Sequence, residues 1–332
     1  MSKPSTIDSA IQEYIQSVSA ARSPNTARTY NNAMNIFRIV LTDHGVAIDI
    51  QPPTDITEEM IAWLAAGLKV YAAATERLYL TATVGFYEYL AAENLASPNL
   101  PRLRLLVEKR ARRPGIRLPQ FPADDIEKVL DYIQLLDNTY TLEPIERLRF
   151  LRDRAFLVTL ADTGLRVHEA CALRRSDIDW NEGRTVITGK GNRQAVVRFS
   201  TRALSALRAY LTARAELDGA SGRPLSSLPL FIRHDKGAGK KVKPITTATG
   251  RNIVTQRVEE ALGKEAAHLI TPHSFRHYFV TTVLRASGNL KLAQELARHQ
   301  NIAVTQRYAH LSNDELDRGY HEIFEDNANR PG

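Results

Sequence analysis

Six residues of this chain have the types and the order that chemistry at a phosphodiester would need: Arg166, Lys190, His273, Arg276, His299 and Tyr308. They lie in short strings: TGLRVHEA around Arg166, TGKGNRQ around Lys190, and HSFRH around His273 and Arg276. In LARHQNIAVTQRYAH, His299 precedes Tyr308 by nine residues. Transfer at phosphorus needs a hydroxyl that attacks in line, donors for the charge growing on the non-bridging oxygens, and a proton for the leaving oxygen. A planar arginine fork suits the oxygens. A lysine crowded by other cations can give up a proton. Histidine can accept a proton or donate a hydrogen bond. Tyrosine as nucleophile divides the transfer into two reversible steps through a covalent intermediate.

These side chains need elements to hold them. Arg166 follows Thr163-Gly164-Leu165, where glycine punctuates one helix and Val167 begins the next pattern. Glu169, three residues on, falls on the same side as Arg166 and can orient a cation. Lys190 stands between Gly189 and Gly191 at the tip of a hairpin made by the β-rich runs 184–188 and 194–199. Thr271-Pro272 opens a helix that carries His273 and Arg276 at i and i+3. His277 completes an i, i+4 histidine pair, but Ser274, not glutamate, follows the first histidine, so His277 is read as structural and no metal is expected. The rival tyrosines Tyr210, Tyr278 and Tyr320 lack a histidine at the spacing His299 has from Tyr308.

The chain has 332 residues, the length of two domains. Helical spacing recurs over Thr26 to Val40, behind a Ser23-Pro24 cap, in a helix capped by Thr57, and over Tyr71 to Ala92. Residues 1–97 therefore read as a helical bundle. Residues 98–119 hold four prolines, seven basic residues and one acidic residue, and read as a basic linker, partly helical around Leu103 to Arg110, able to lie along a phosphate backbone. Arg102, Arg104, Lys109, Arg110, Arg112 and Arg113 are its candidate DNA contacts. Residues 120–312 mix helices at 124–136, 147–161, 201–217, 247–262, 273–287, 290–298 and 302–309 with the hairpin. A Gly/Pro/basic loop region, 219–244, adds Lys240, Lys241 and Lys243 as further candidate contacts. Residues 313–332 form an acidic tail. The expected fold is mainly α with a small β-sheet, in two domains.

Lysine and arginine number 44 against 37 aspartates and glutamates, a net charge of +7, which favours a polyanionic partner. One cysteine, Cys171, rules out an intramolecular disulfide and a cysteine-rich zinc site. The N-terminus has no apolar signal region, and no run approaches 18 apolar residues, so a soluble cytoplasmic protein is expected.

The ordered strings resemble those of the tyrosine recombinases of the phage-integrase and Xer type. TGLRVHEA resembles the family's TGLR-x-x-E, HSFRH its H-x-x-R, TGKGNRQ its lysine hairpin, and the last string its histidine-and-tyrosine segment. The resemblance covers about residues 8–312 and implies catalytic roles for Arg166, Lys190, His273, Arg276, His299 and the nucleophile Tyr308, with Glu169 in support. It implies a SAM-like core-binding domain at 1–97 that clamps double-stranded DNA, and a catalytic domain that forms a 3′-phosphotyrosyl link at a specific recombination site. It implies neither metal nor ATP, a dimer on one site, a tetramer when two sites pair, and a tail that docks on a neighbouring protomer. Bound to DNA, such a protein is nucleoid-associated. Type IB topoisomerase, telomere resolvase and non-catalytic DNA-binding protein remain alternatives. Two positions depart from the pattern. Arg298 stands where glycine is usual, with a DNA contact or an exposed side chain expected, and Phe275 replaces leucine.

Overall fold

The computed structural model describes residues 4–113, 123–135, 143–189, 193–235, 237 and 241–306. The chain divides into two compact units, Met1–Arg117 and Leu118–Gly332.

The first unit is helical: α1 (Ile7–Ala21), α2 (Pro24–Asp43), α3 (Glu59–Gly67), α4 (Ala73–Ala92) and α5 (Leu100–Arg110). Thr6 and Ser9 form a capping box on α1, and Ser23 caps α2 ahead of Pro24. Thr57 does not cap α3; its carbonyl accepts from the Tyr87 hydroxyl at 2.7 Å. The core is aromatic, with Phe37, Phe86 and Tyr87 fully buried. Gly85 lets α1 and α4 approach: a Cβ there would lie 2.5 Å from the Tyr14 hydroxyl, which donates to the Ala82 carbonyl.

Within 98–119 the helix expected around Leu103 to Arg110 forms as α5, but it is packed rather than a free spacer. Leu103 is fully buried in this core, so the helix belongs to the first unit. Its cations are held by carboxylates: Arg102 by Glu59, and Arg104 by Glu88 at 2.6 Å. Just beyond it, Arg112 Nε reaches the buried Glu76 at 2.5 Å, which Lys69 also grips at 2.6 Å. The proline and charge content was visible in the sequence. The opposing glutamates are on other helices and were not.

In the second unit, α6 (Ala123–Leu135) is followed by α7 (Pro144–Thr163) and α8 (Val167–Ala172). An antiparallel sheet of order β1-β2-β3 comes next, with β1 (Ile178–Asp179), β2 (Arg184–Thr188) and β3 (Gln194–Arg198). The hairpin register runs from Arg184 opposite Arg198 to Thr188 opposite Gln194. Helices α9 (Thr201–Ala213) and α10 (Ala215–Gly219) break the single helix expected at 201–217. The break is at Arg214, whose fully buried fork donates to Asp218 and to the Pro229 and Leu230 carbonyls. The region expected as a loop, 219–244, is partly core: Leu228, Leu230, Phe231 and Ile232 are fully buried. They pack with Phe156 of α7 and Tyr210 of α9. The chain closes with α11 (Thr247–Leu262), α12 (Lys264–Leu269), α13 (Pro272–Ser287), α14 (Leu290–Ala297) and α15 (Ile302–Gln306). No helix among the described residues is long and apolar enough to cross a membrane.

Candidate active site

The site is built where α7, α8, α13 and α14 end or begin. Helix α7 stops at Gly164, which takes φ 59°, ψ 22°. This left-handed turn is open to glycine at little cost, and a Cβ there would meet Phe279 at 2.4 Å. Arg166 then stands at the N-cap of α8. Its backbone N–H donates to Glu169 Oε2 at 2.8 Å and its Nη1 to Oε1 at 3.0 Å. Glu169 is buried, whereas the Arg166 side chain is 45% exposed and presents the rest of its fork to solvent.

Helix α13 begins with Pro272 behind the Thr271–Ser274 capping box. Its buried Arg276 donates to two helix-end carbonyls, Nη1 to Gly164 and Nη2 to Ala297. One guanidinium thus ties the end of α7 to the end of α14, which fixes its position. His273 is exposed at the first turn, and its ring meets that of His277 edge-on at 4.2 Å.

Helix α14 ends on Arg298 in the left-handed region, φ 60°, ψ 42°. The expectation that Arg298 lies exposed does not hold in this structure. Its side chain folds back, 8% exposed, and Nη2 donates to the Gly164 carbonyl at 3.1 Å and to Glu169 Oε2 at 3.2 Å. His299 follows. Its Nδ1 lies 2.9 Å from the fully buried Thr305 hydroxyl, and its backbone exchanges bonds with Gln294.

The electrostatics differ from a simple gathering of cations. Burial, then the charges of Arg276 and Arg166, push the His299 pKa down to about 4. Burial and the neighbouring His273 and His299 push His277 down to about 4. Partial desolvation, followed by Arg276 and Arg166, also lowers His273. At neutral pH these rings are uncharged donors and acceptors, and the positive charge belongs to the arginines. Burial works to raise the Glu169 pKa, but the Arg298 charge and then the bonds from Arg166 outweigh it and hold the carboxyl ionised. Cys171 is buried and its thiol is pushed up to about 12, consistent with an inert core residue. No group of three or more His, Cys, Asp or Glu side chains that could hold a metal occurs among the described residues.

The structure therefore brings together Arg166, Glu169, His273, Arg276 and His299. Lys190 and Tyr308 lie outside the described residues, although the strands leading to Lys190 and the helix leading toward Tyr308 are described. Sequence reasoning read Gly164 as the end of a helix but missed that its carbonyl receives Arg276 and Arg298, and it missed Thr305. The signals were present as a glycine directly before Leu165-Arg166 and a threonine three residues before Tyr308. The described candidate DNA contacts are all exposed; Arg102, Arg104 and Arg112 also pair with carboxylates as above, and Lys240 lies outside the described residues.

A profile of the phage integrase family matches residues 124–315, and a profile of the phage integrase N-terminal SAM-like domain matches residues 11–94. The chain is a member of the phage integrase family of tyrosine recombinases. Tyrosine recombinase XerC of Pelotomaculum thermopropionicum is 31% identical over 307 residues, 90% of this chain and 91% of that protein. XerC of Alcanivorax borkumensis is 32% identical, over 90% of this chain and 87% of its own length. Among solved structures, XerH site-specific recombinase bound to its difH substrate, in a pre-cleavage complex, matches with a TM-score of 0.61 at 20% identity. That match covers 89% of this chain and 78% of the XerH chain. A lambda integrase dimer bound to a core site matches with a TM-score of 0.59 at 18% identity, covering 92% and 95% of the two chains. As a tyrosine recombinase, the protein is a site-specific recombination enzyme that acts on DNA. Its two units are the SAM-like and catalytic domains of that family.

Proposed function

We propose that this recombinase cleaves one DNA strand with Tyr308 and holds the scissile phosphate with Arg166, Arg276 and His299. The observation that carries this reading is the convergence of Arg166 and Arg276 on His299, whose pKa both depress, nine residues before the tyrosine. Tyr308 Oη attacks phosphorus, the P–O5′ bond breaks, and a 3′-phosphotyrosyl link forms. Lys190 gives its proton to the departing 5′ oxygen. His273, uncharged at neutral pH, hydrogen-bonds near the tyrosine and takes up its proton. With Thr305 donating to Nδ1, His299 presents Nε2–H to a non-bridging oxygen. Attack by a 5′-hydroxyl of a partner strand reverses the step and exchanges strands. The bond energy is kept in the covalent link, so neither ATP nor a metal ion is needed.

The exposed Lys109, Arg110, Arg113, Lys241 and Lys243 supply sequence-independent phosphate contacts. The working assembly is a dimer on one site and a tetramer when two sites pair, in the cytoplasm, with residues 313–332 docking on a neighbour. The test is a nicked duplex that traps the covalent complex. Wild type gives a denaturant-stable adduct in EDTA, and Tyr308→Phe gives none while still binding DNA. An adduct formed by Tyr308→Phe, or strict dependence on magnesium, refutes the reading.

A further inference from the structure

Arg298 is one of two non-glycine residues with positive φ among the described residues, the other being Asn94. Glycine would take this turn without the clash that a Cβ brings. The side chain adds further penalties. It is 8% exposed, and its Nε and Nη1 are buried with no hydrogen-bond partner among the described residues. A buried guanidinium with unmet donors destabilises a fold. Three unfavourable features thus coincide on one residue, immediately before His299. Residues kept under such conditions cluster at functional sites.

The contacts say what the residue does. Glu169 is bonded by Arg166, which it places at the start of α8. Without a second cation, Glu169 would cancel the charge of the arginine it positions. Arg298 Nη2 donates to Oε2, the oxygen that also accepts the Arg166 backbone N–H, and to the Gly164 carbonyl that anchors Arg276. Counting Arg166, Arg276 and Arg298 against Glu169 gives three minus one, a net charge of +2; glycine at 298 would leave +1.

We infer that Arg298 is a positioning residue that neutralises Glu169, so that Glu169 can orient Arg166 without consuming the positive charge the phosphate needs. The inference rests on the proposed phosphate site. Its effect is on the transition state, where charge on the non-bridging oxygens is greatest.

The test uses the full chain and a nicked duplex carrying the site recovered by sequencing the DNA the protein binds. Single-turnover adduct formation, DNA Kd and melting temperature are measured for R298G, R298K, R298M and the double variant E169Q/R298G. R298G is expected to melt at or above wild type, because the turn is relieved. It should form adduct on the order of tenfold more slowly, with Kd changed less than about threefold. R298K should retain most of the rate, R298M should behave as R298G, and E169Q/R298G should recover rate relative to R298G. Wild-type speed in R298G overturns the inference. So does R298K as slow as R298M, or a double variant that fails to recover. A wild-type protein that forms no adduct fails the proposed function instead, and R298G melting well below wild type shows a purely structural Arg298.

Discussion

Replacing Gly164 with alanine tests how the site is anchored, because the Gly164 carbonyl receives both Arg276 and Arg298. Two terms set the cost. Alanine at φ 59° pays the left-handed penalty, about 1–2 kcal/mol. Its Cβ would also sit 2.4 Å from Phe279 Cδ1, well inside contact distance. Forcing extra volume into such packing costs about 1–3 kcal/mol more. The sum is about 2–5 kcal/mol, and for a unit of this size it lowers the melting temperature by about 4–20 °C. The carbonyl must move if the clash is relieved by the backbone, which displaces Arg276. Adduct formation, measured well below both melting temperatures, should therefore fall at least tenfold (roughly) while DNA affinity changes little. The double variant G164A/F279L removes part of the steric term and none of the φ term, so it should recover only part of the stability. Gly164→Ala within about 1 kcal/mol of wild type and fully active would refute the reasoning.

Thr305→Val removes the hydroxyl 2.9 Å from His299 Nδ1 and leaves that nitrogen unmet; adduct formation should drop about tenfold with near-normal DNA affinity in a filter-binding assay. His277 and His299, both lowered to about 4, and His234, lowered to about 3 by burial and nearby arginines, are neutral in the fold but take protons in the unfolded chain below their ordinary value of 6.5. The unfolded state then binds more protons, so stability is full above about pH 6.5 and declines toward pH 4. Melting temperatures between pH 8 and 4 check this, and a flat profile would contradict it. Glu76→Gln weakens the hold on Lys69 and Arg112, and should lower the stability of the first unit by about 1–3 kcal/mol in urea unfolding.

The order of Arg166, His273, Arg276, His299 and Tyr308 was legible in the sequence because each stands beside a local signal: a glycine turn, a Thr-Pro helix start, a helix end. Helical periodicity likewise defined α2, α4 and α13, with capping signals at α2 and α13, since these depend on neighbours within a few residues. The burial of residues 228–232 was not legible, because what covers that apolar run comes from α7 and α9. The same holds for α5, whose cations meet glutamates of α3 and α4.

By itself, then, the sequence showed which side chains have the types and the order that the proposed chemistry needs. Tertiary structure alone decided their state. Burial, then the charges of Arg276 and Arg166, lower His299 to about 4, and partial desolvation with the same two charges lowers His273. The meeting of α7, α8 and α14 turns Arg298 from a surface cation into the partner of Glu169. Charge state and pairing depend on distances between residues more than a hundred positions apart, and no local pattern encodes those distances.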